Sequence, residues 1–309
     1  MPGAFAHLTI ANLATGDNNL EGASLNTDAK IAIAENMSYI ELGCVSPDYP
    51  YLAISILEDN AKWADYMHLD NKTDIMIRKG IELVSELDGF ERDKAFAWLC
   101  GFVSHIVADV VIHPVVELKV GPYQGNERAH RVCEMHQDSH IYQRLELGAI
   151  GLAEHLSTGI GKCSDSNDND KIDPTIKRIW MEILQSVRPD EFSENAPNID
   201  SWHKSFNQNV SLFEEGNKLH PLARHVAVNA GMTYPAEDSI DMQYIEDLEV
   251  PTGTKNYDDI VDIAIAKVVE AWKILCDAVY QNEEAQLAHF GGWNLDSGRD
   301  TNDELVYWA

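Results

Sequence analysis

The stretch from Asp93 to Val116 constrains this chain more than any other. It carries Ala95, Phe96, Trp98, Leu99, Phe102, Val103, Ile106, Val107, Val110 and Val111. Apolar on every side of a helix, it has to run through a core rather than over a surface. A helix so placed must satisfy every polar group it buries, yet it contains His105, Asp109 and His113. Spaced i, i+4 and i+8, these three drift only slowly round the helix and share one face. Two arrangements meet their need: coordination of metal ions, with Asp109 bridging two, or a hydrogen-bonded His–Asp–His row inside a bundle. Pro114 comes next. It lacks the N–H that would bond to the Val110 carbonyl, which predicts a kink and steers Glu117 off the stripe.

The rest of the chain reads as helical too. Asn26-Thr27-Asp28 caps a helix running to about Leu42,. A Gly/Pro turn over 43–50 then interrupts the pattern. Further helices are predicted over 73–87 (with Gly80 in its middle), 126–147, 174–187, 201–215 and 257–286. The stretch 219–254 is broken by Pro and Gly, and the tail after 286 is irregular. Strand-like alternation is scarce, and there is no repeat, heptad seam or long linker. With 309 residues, enough for one large core or two small ones, the expectation is a single all-α domain spanning 1–309.

Charge restricts the partners. Asp and Glu number 51 against 23 Lys and Arg, a formal net charge of −28. No basic stripe offsets this, so stable binding to nucleic acid or anionic lipid is disfavoured. Cations, by contrast, are tolerated, and seven of the twelve histidines fall in the first 140 residues. The five cysteines are scattered without a CxxC pair, which suits buried reduced thiols. No window reaches 18 uninterrupted apolar residues, so no transmembrane helix is expected. The start, Met1-Pro2-Gly3, lacks the features of a secretory signal, and a cytoplasmic location is expected.

Several other residues are chemically capable. His130 and Glu134 stand i, i+4 on a predicted helix, a spacing that holds a metal between helices but also recurs by chance. Asp138 extends that face, whereas His136 and His140 turn away from it and read as surface residues. Ser164 to Asp170 half-resembles a calcium loop through Asp165, Asn167 and Asn169. The loop places Asp170 where glycine belongs and Ile176 where the bidentate glutamate belongs,, so a solvated loop is expected. Taken singly, His7 reads as a core histidine, Asp48 as an Asx-turn residue and His68 as a helix C-cap.

Together these residues resemble the zinc-dependent phospholipase C family, whose fold is shared with single-strand-specific zinc nucleases. The resemblance covers about residues 1–140. It rests on Met1-Pro2-Gly3 leading to His7, Gly43…Pro47-Asp48, Trp63…His68, His105-x3-Asp109-x3-His113-Pro114 and His130-x3-Glu134. It implies an all-helical fold with two or three Zn²⁺ ions at the base of a cleft. One zinc would take His68, His105 and Asp109, with Asp48 as a ligand or as the catalytic base beside it. A second would take His113, His130 and Glu134. A third would use Asp109, His7 and the N-terminal amine of Met1, or of Pro2 after Met1 removal. Secreted members expose a new N-terminus by cleavage, and this sequence departs from them there. The implied activity is phosphodiester hydrolysis of the phospholipase C type. Tyr49 and Tyr66 are candidates for cation–π contact with a quaternary amine. The alternatives are a nuclease or nucleotidase, a small-metabolite metalloenzyme on the same site, and a non-catalytic metal-binding module.

Overall fold

A computed structural model describes residues 3–52, 61–147, 159–216 and 233–308. The apolar stretch is the axis of the molecule: a helix, α8 (Gly89–Val120), buried from Lys94 to Val116. It begins behind the left-handed Gly89 and ends at Gly121, whose φ is +89°. The helix does not stop at Pro114 but runs on to Val120.

The other helices wrap this axis. Before it come α1 (Ala4–Ala14), α2 (Asp17–Gly22), α3 (Thr27–Glu35), α4 (Met37–Val45), α5 (Tyr49–Leu52), α6 (Ala61–Leu69) and α7 (Thr73–Ser85). After it come α9 (Glu127–Ile141), α10 (Pro174–Val187), α11 (Pro189–Glu194), α12 (Ile199–Gly216) and α13 (Tyr257–Gln281). Among the described residues, strands are confined to three small antiparallel pairs. These are β1 (Ser164–Asp165) with β2 (Asp168–Ile172), β3 (Leu248–Val250) with β4 (Gly253–Lys255), and β5 (Trp293–Asn294) with β6 (Arg299–Asp300). The protein is all-α, and one contiguous core joins residues from Phe5 to Trp308.

The broadest packing on α8 comes from α4 and α13. The α4 contact is backbone to backbone. A Cβ at Gly43 would stand 2.1 Å from Trp98 O, and one at Gly101 would stand 2.0 Å from Ile40 O. Only glycine permits that approach, and it brings the Cys44 carbonyl against His105 on α8. On the α13 side, Trp272 Nε1 donates to Cys100 O (2.8 Å) and to Ser104 Oγ (3.0 Å). Buried indole N–H groups need such partners.

Helix starts follow local chemistry. Asn256 and Asp259 form a capping box at the start of α13,. Asp173 accepts from Thr175 N and Ile176 N ahead of Pro174. Its other oxygen takes Lys94 Nζ at 2.8 Å.

Several expectations need correction. The helix from 27 to 42 is two helices, broken at Asn36, whose Nδ2 bonds back to Ala32 O (2.9 Å). The turn over 43–50 is largely helical: α4 runs to Val45, Ser46–Asp48 form a 3₁₀ turn, and α5 follows. Proline at the first positions of a helical turn is compatible with that path. His136 is not on the surface. It is buried and its Nδ1 accepts from Asp241 N (2.9 Å). His140 bonds to Asp258 at 2.7 Å.

The 164–170 loop is the β1–β2 hairpin. Asp165 caps Asn167 N there, while Lys171 and Lys204 pair with Asp168 and Asp170. All five cysteines are free and buried. Averaged over its residues, α8 is long and apolar enough to cross a membrane, but that stretch lies wholly inside the fold.

Candidate metal centre

Three short stretches of chain bring the chemistry to α8. The first is the 3₁₀ turn at the end of α4, which delivers Asp48. The second is the last turn of α6, with His68, and the third is the middle of α1, with His7. On α8 itself, His105 and Asp109 are fully buried and His113 nearly so. Asp109 is the hub. Its Oδ1 lies 3.2 Å from His7 Nε2 and 3.7 Å from His113 Nε2, and its Oδ2 lies 3.1 Å from His105 Nε2 and 3.6 Å from His68 Nε2. Asp48 Oδ1 is 3.3 Å from His68 Nε2 and 4.0 Å from His105 Nε2.

Four of the imidazoles, all but that of His7, are oriented by a main-chain carbonyl. His68 Nδ1 donates to Ala64 O (2.8 Å), His105 Nδ1 to Cys44 O (2.9 Å) and His113 Nδ1 to Asp296 O (3.0 Å). In His130 the roles are exchanged, with Nε2 donating to Gly121 O (2.7 Å). A ring that gives its only neutral-state proton outward presents a lone pair inward. The His68 and His105 lone pairs are therefore aimed at each other, with their Nε2 atoms 3.2 Å apart. Two lone pairs at that distance repel unless a proton or a cation lies with them. This outward anchoring is how metal-ligating histidines are held.

The inward atoms lack ordinary partners. Both ring nitrogens of His7, Asp48 Oδ1, both Asp109 oxygens, His113 Nε2 and His130 Nδ1 are buried without a hydrogen bond. Native interiors leave few such atoms, and here they crowd one place. Side-chain charge compensates only in part. Burial disfavours ionised Asp48 and Asp109, but the surrounding histidines outweigh it and hold both carboxyls below the ordinary range. Burial likewise opposes a charged His68, yet Asp48 and Asp109 raise its pKa to about 9. Desolvation wins at His113, lowered to about 3, and also lowers His105. The donor set is mixed imidazole and carboxylate, the set that suits Zn²⁺, and the residues present fit such an ion.

Two donor groups are compact: Asp48, His68 and His105, and His7, His105 and Asp109, each with its ligand atoms within 4.8 Å of one another. His105 therefore belongs to both. The grouping implied by the resemblance placed it only with His68 and Asp109. His7 is no isolated core histidine, because its ring stacks on His105 with centroids 4.0 Å apart. The His113 side is looser, and His130 Nδ1 stands 3.8 Å from Glu134 Oε1. Met1 and Pro2 lie outside the described residues. Asp138, on the same helix as Glu134, accepts from Phe5 N and Ala6 N and so anchors the start of α1 two residues before His7.

Neither tyrosine candidate faces the centre. Tyr49 is buried, its hydroxyl bonded to His203 Nδ1 (3.1 Å) and its ring stacked on Phe206. Tyr66 packs on Trp63, with the Arg188 guanidinium 4.5 Å above its ring. Residues i and i+2 of a helix do not share a face, so Tyr66 points away from His68.

The aromatic residues at the centre are others. Tyr51, 37% exposed, has its ring 5.9 Å from that of His68 and donates to Asp65. Tyr123, 45% exposed, sits edge-on to His130 at 5.2 Å. Reading 43–50 as helical would have revealed Tyr51, three residues after Asp48. Asp296, whose carboxyl feels His68, Asp109 and Asp48, had no local signal at all.

Comparison with known proteins accords with this geometry. A search of curated proteins and one of solved structures each find no match. The family model described as zinc dependent phospholipase C matches residues 6–189, from the start of α1 through α10. That span holds each of His7, Asp48, His68, His105, Asp109, His113, His130 and Glu134. The chain belongs to the zinc-dependent phospholipase C family.

Proposed function

We propose that this protein is a zinc-dependent phosphodiesterase of the phospholipase C type, with two zinc ions at the centre and a place for a third. One observation carries the reading: Asp48 Oδ1, both Asp109 oxygens, His113 Nε2 and His130 Nδ1 converge, buried and unbonded, while the opposite ring nitrogens of His68, His105, His113 and His130 are tied to main-chain carbonyls. A hydrogen-bonded His–Asp–His row would have joined His113 Nε2 to Asp109, from which it stands 3.7 Å without a bond. His68, His105 and Asp109, with Asp48, would hold one ion, and His113, His130 and Glu134 the second. His7 and Asp109 would serve a third. Zn²⁺ in such a site supplies Lewis acidity toward a phosphoryl oxygen and an attacking water.

The chain's own groups account for the rest. Asp48, kept ionised by His105 and His68, is an acceptor at the edge of the centre and takes the proton of the water that attacks phosphorus. Carbonyl anchoring keeps the imidazoles in one tautomer and leaves them little freedom to reorganise. Tyr51 and Tyr123, with Asp65 and Asp296 beside them, give an aromatic and acidic mouth. Such a rim favours a diester carrying a cationic or neutral headgroup over a polynucleotide, in line with the net charge of −28,.

The test is hydrolysis by the zinc-loaded protein of p-nitrophenyl phosphorylcholine, bis-p-nitrophenyl phosphate and single-stranded DNA. The first should be cleaved best, and activity should vanish on chelation and return with zinc. Preference for DNA would replace this reading with the nuclease. Zinc binding without cleavage of any diester would leave a metal-binding module.

A further inference from the structure

Residues 291–308 lie more than a hundred residues beyond the family match, yet they close over the centre. Leu295 N donates to His68 O (2.9 Å), and Asp296 O, the next residue, accepts from His113 Nδ1 (3.0 Å). One peptide segment thus joins the last turn of α6 to the His113 turn of α8. Its own path is fixed on both sides. Upstream, Thr73 Oγ1 donates to Gly291 O (2.7 Å) and accepts from Trp293 N (2.9 Å). Downstream, Gly298 lies against α8 and Trp308 Nε1 donates to Val111 O (2.8 Å).

The seat for Gly298 is made by Pro114. Proline leaves the Val110 carbonyl without its helical donor. A Cβ on Gly298 would come within 2.6 Å of Val110 O and 2.5 Å of Pro114 Cγ, at a φ of +66°. The Pro114 ring, next to His113, and the glycine of the strap therefore fit each other.

We propose that the 293–298 strap is a positioning element of the metal centre. Its main-chain carbonyl at Asp296 sets the tautomer and direction of His113, so zinc affinity on the His113 side depends on this segment. The inference rests on the metal-centre reading above. Its test is zinc titration of the metal-free protein by calorimetry, with far-UV circular dichroism to verify the fold.

Gly298→Ala should lift the strap from α8 and weaken zinc binding on the His113 side about 10- to 100-fold, the usual effect of losing an outer-shell partner. Asn294→Ala removes only the acceptor of Ser297 N and Oγ within the turn and should act in the same direction, more weakly. It keeps the test available if Gly298→Ala does not fold. Asp296→Asn preserves the main-chain carbonyl and should weaken zinc binding less than Gly298→Ala does. A native protein that takes up no zinc overturns the metal-centre reading itself. Native binding that persists unchanged in folded Gly298→Ala or Asn294→Ala overturns the strap alone. So does a loss of affinity confined to Asp296→Asn, which would assign the effect to the side chain.

Discussion

The two sides of the centre are built differently. Around His68 and His105, donors from three elements stand 3.1–3.6 Å from Asp109 or Asp48, and the orienting carbonyls, Ala64 and Cys44, belong to helices. Around His113 and His130 the nearest carboxylate contacts are 3.7 and 3.8 Å. The orienting carbonyls there belong to Gly121, just past the end of α8, and to Asp296, in the strap. A helical carbonyl is fixed by its neighbours' hydrogen bonds, whereas a loop carbonyl is only as fixed as its anchors. The first side is thus preorganised by the helical core, and the second by segments that end on it.

Asp109→Ala should have the largest effect, because it strikes both sides at once. We expect zinc affinity to fall by more than about 100-fold, beyond the range for outer-shell partners, with activity lost in parallel. Full zinc content in an active Asp109→Ala protein would remove the centre from the mechanism. Graded chelation should then separate the sides. Metal analysis against rising chelator is expected to show one ion leaving at about 10-fold lower chelator than the other, and His113→Ala should abolish the early step only. A single step for all the zinc would erase the distinction between the sides.

Two glycines sharpen it further. Gly43→Ala forces α4 from α8, which should destabilise the fold by about 1–3 kcal/mol and weaken the His105 side. Gly121→Ala, strained by about 1–3 kcal/mol at φ +89° and ψ 174° and meeting Asn126 at 3.0 Å,, should weaken the His130 side alone. Denaturant melts paired with zinc titrations would read both effects, and matching losses on both sides would contradict the assignment.

The smallest effect concerns the seat of Asp48. Its neighbour Tyr49 is held by His203, which also bonds Ser164 Oγ (2.9 Å). Burial lowers the His203 pKa to about 4, outweighing the nearby Asp200 and Asp170. The unfolded chain, with an ordinary histidine near 6.5, takes up this proton first as pH falls. The stabilising difference is therefore complete above about pH 6.5 and diminishes toward pH 4, by roughly 1–2 kcal/mol between pH 7 and 5. Subtracting the melts of His203→Gln isolates this contribution, and an identical pH profile for the variant would refute it.

Much of this was legible in the primary structure. The apolar run of α8 marks the core axis, and the spacing of His105, Asp109 and His113 puts them on one face because helix geometry is local. The same locality identifies His130 with Glu134. Where local rules misled, a longer-range contact decided. Asn36 divides a helix that its propensities would continue, and His136 is buried by the turn at Asp241. Tyr49 and Tyr66 looked suitable by proximity in sequence, but the helical path of 46–52 and the far face of α6 leave Tyr51 as the tyrosine beside His68.

The sequence by itself determined an all-α protein with a polar stripe inside its longest helix, since hydrophobic periodicity and i, i+4 spacing are properties of the chain. It could not determine which ring nitrogen each histidine turns inward, or that His105 belongs to two donor groups at once. Nor could it reveal that a segment near residue 296 supplies the carbonyl for His113. Those features depend on the Gly43–Gly101 approach of two helices and on the fit of Gly298 against Pro114. Such contacts join residues far apart in the chain, and only tertiary packing brings them within a hydrogen bond of the centre.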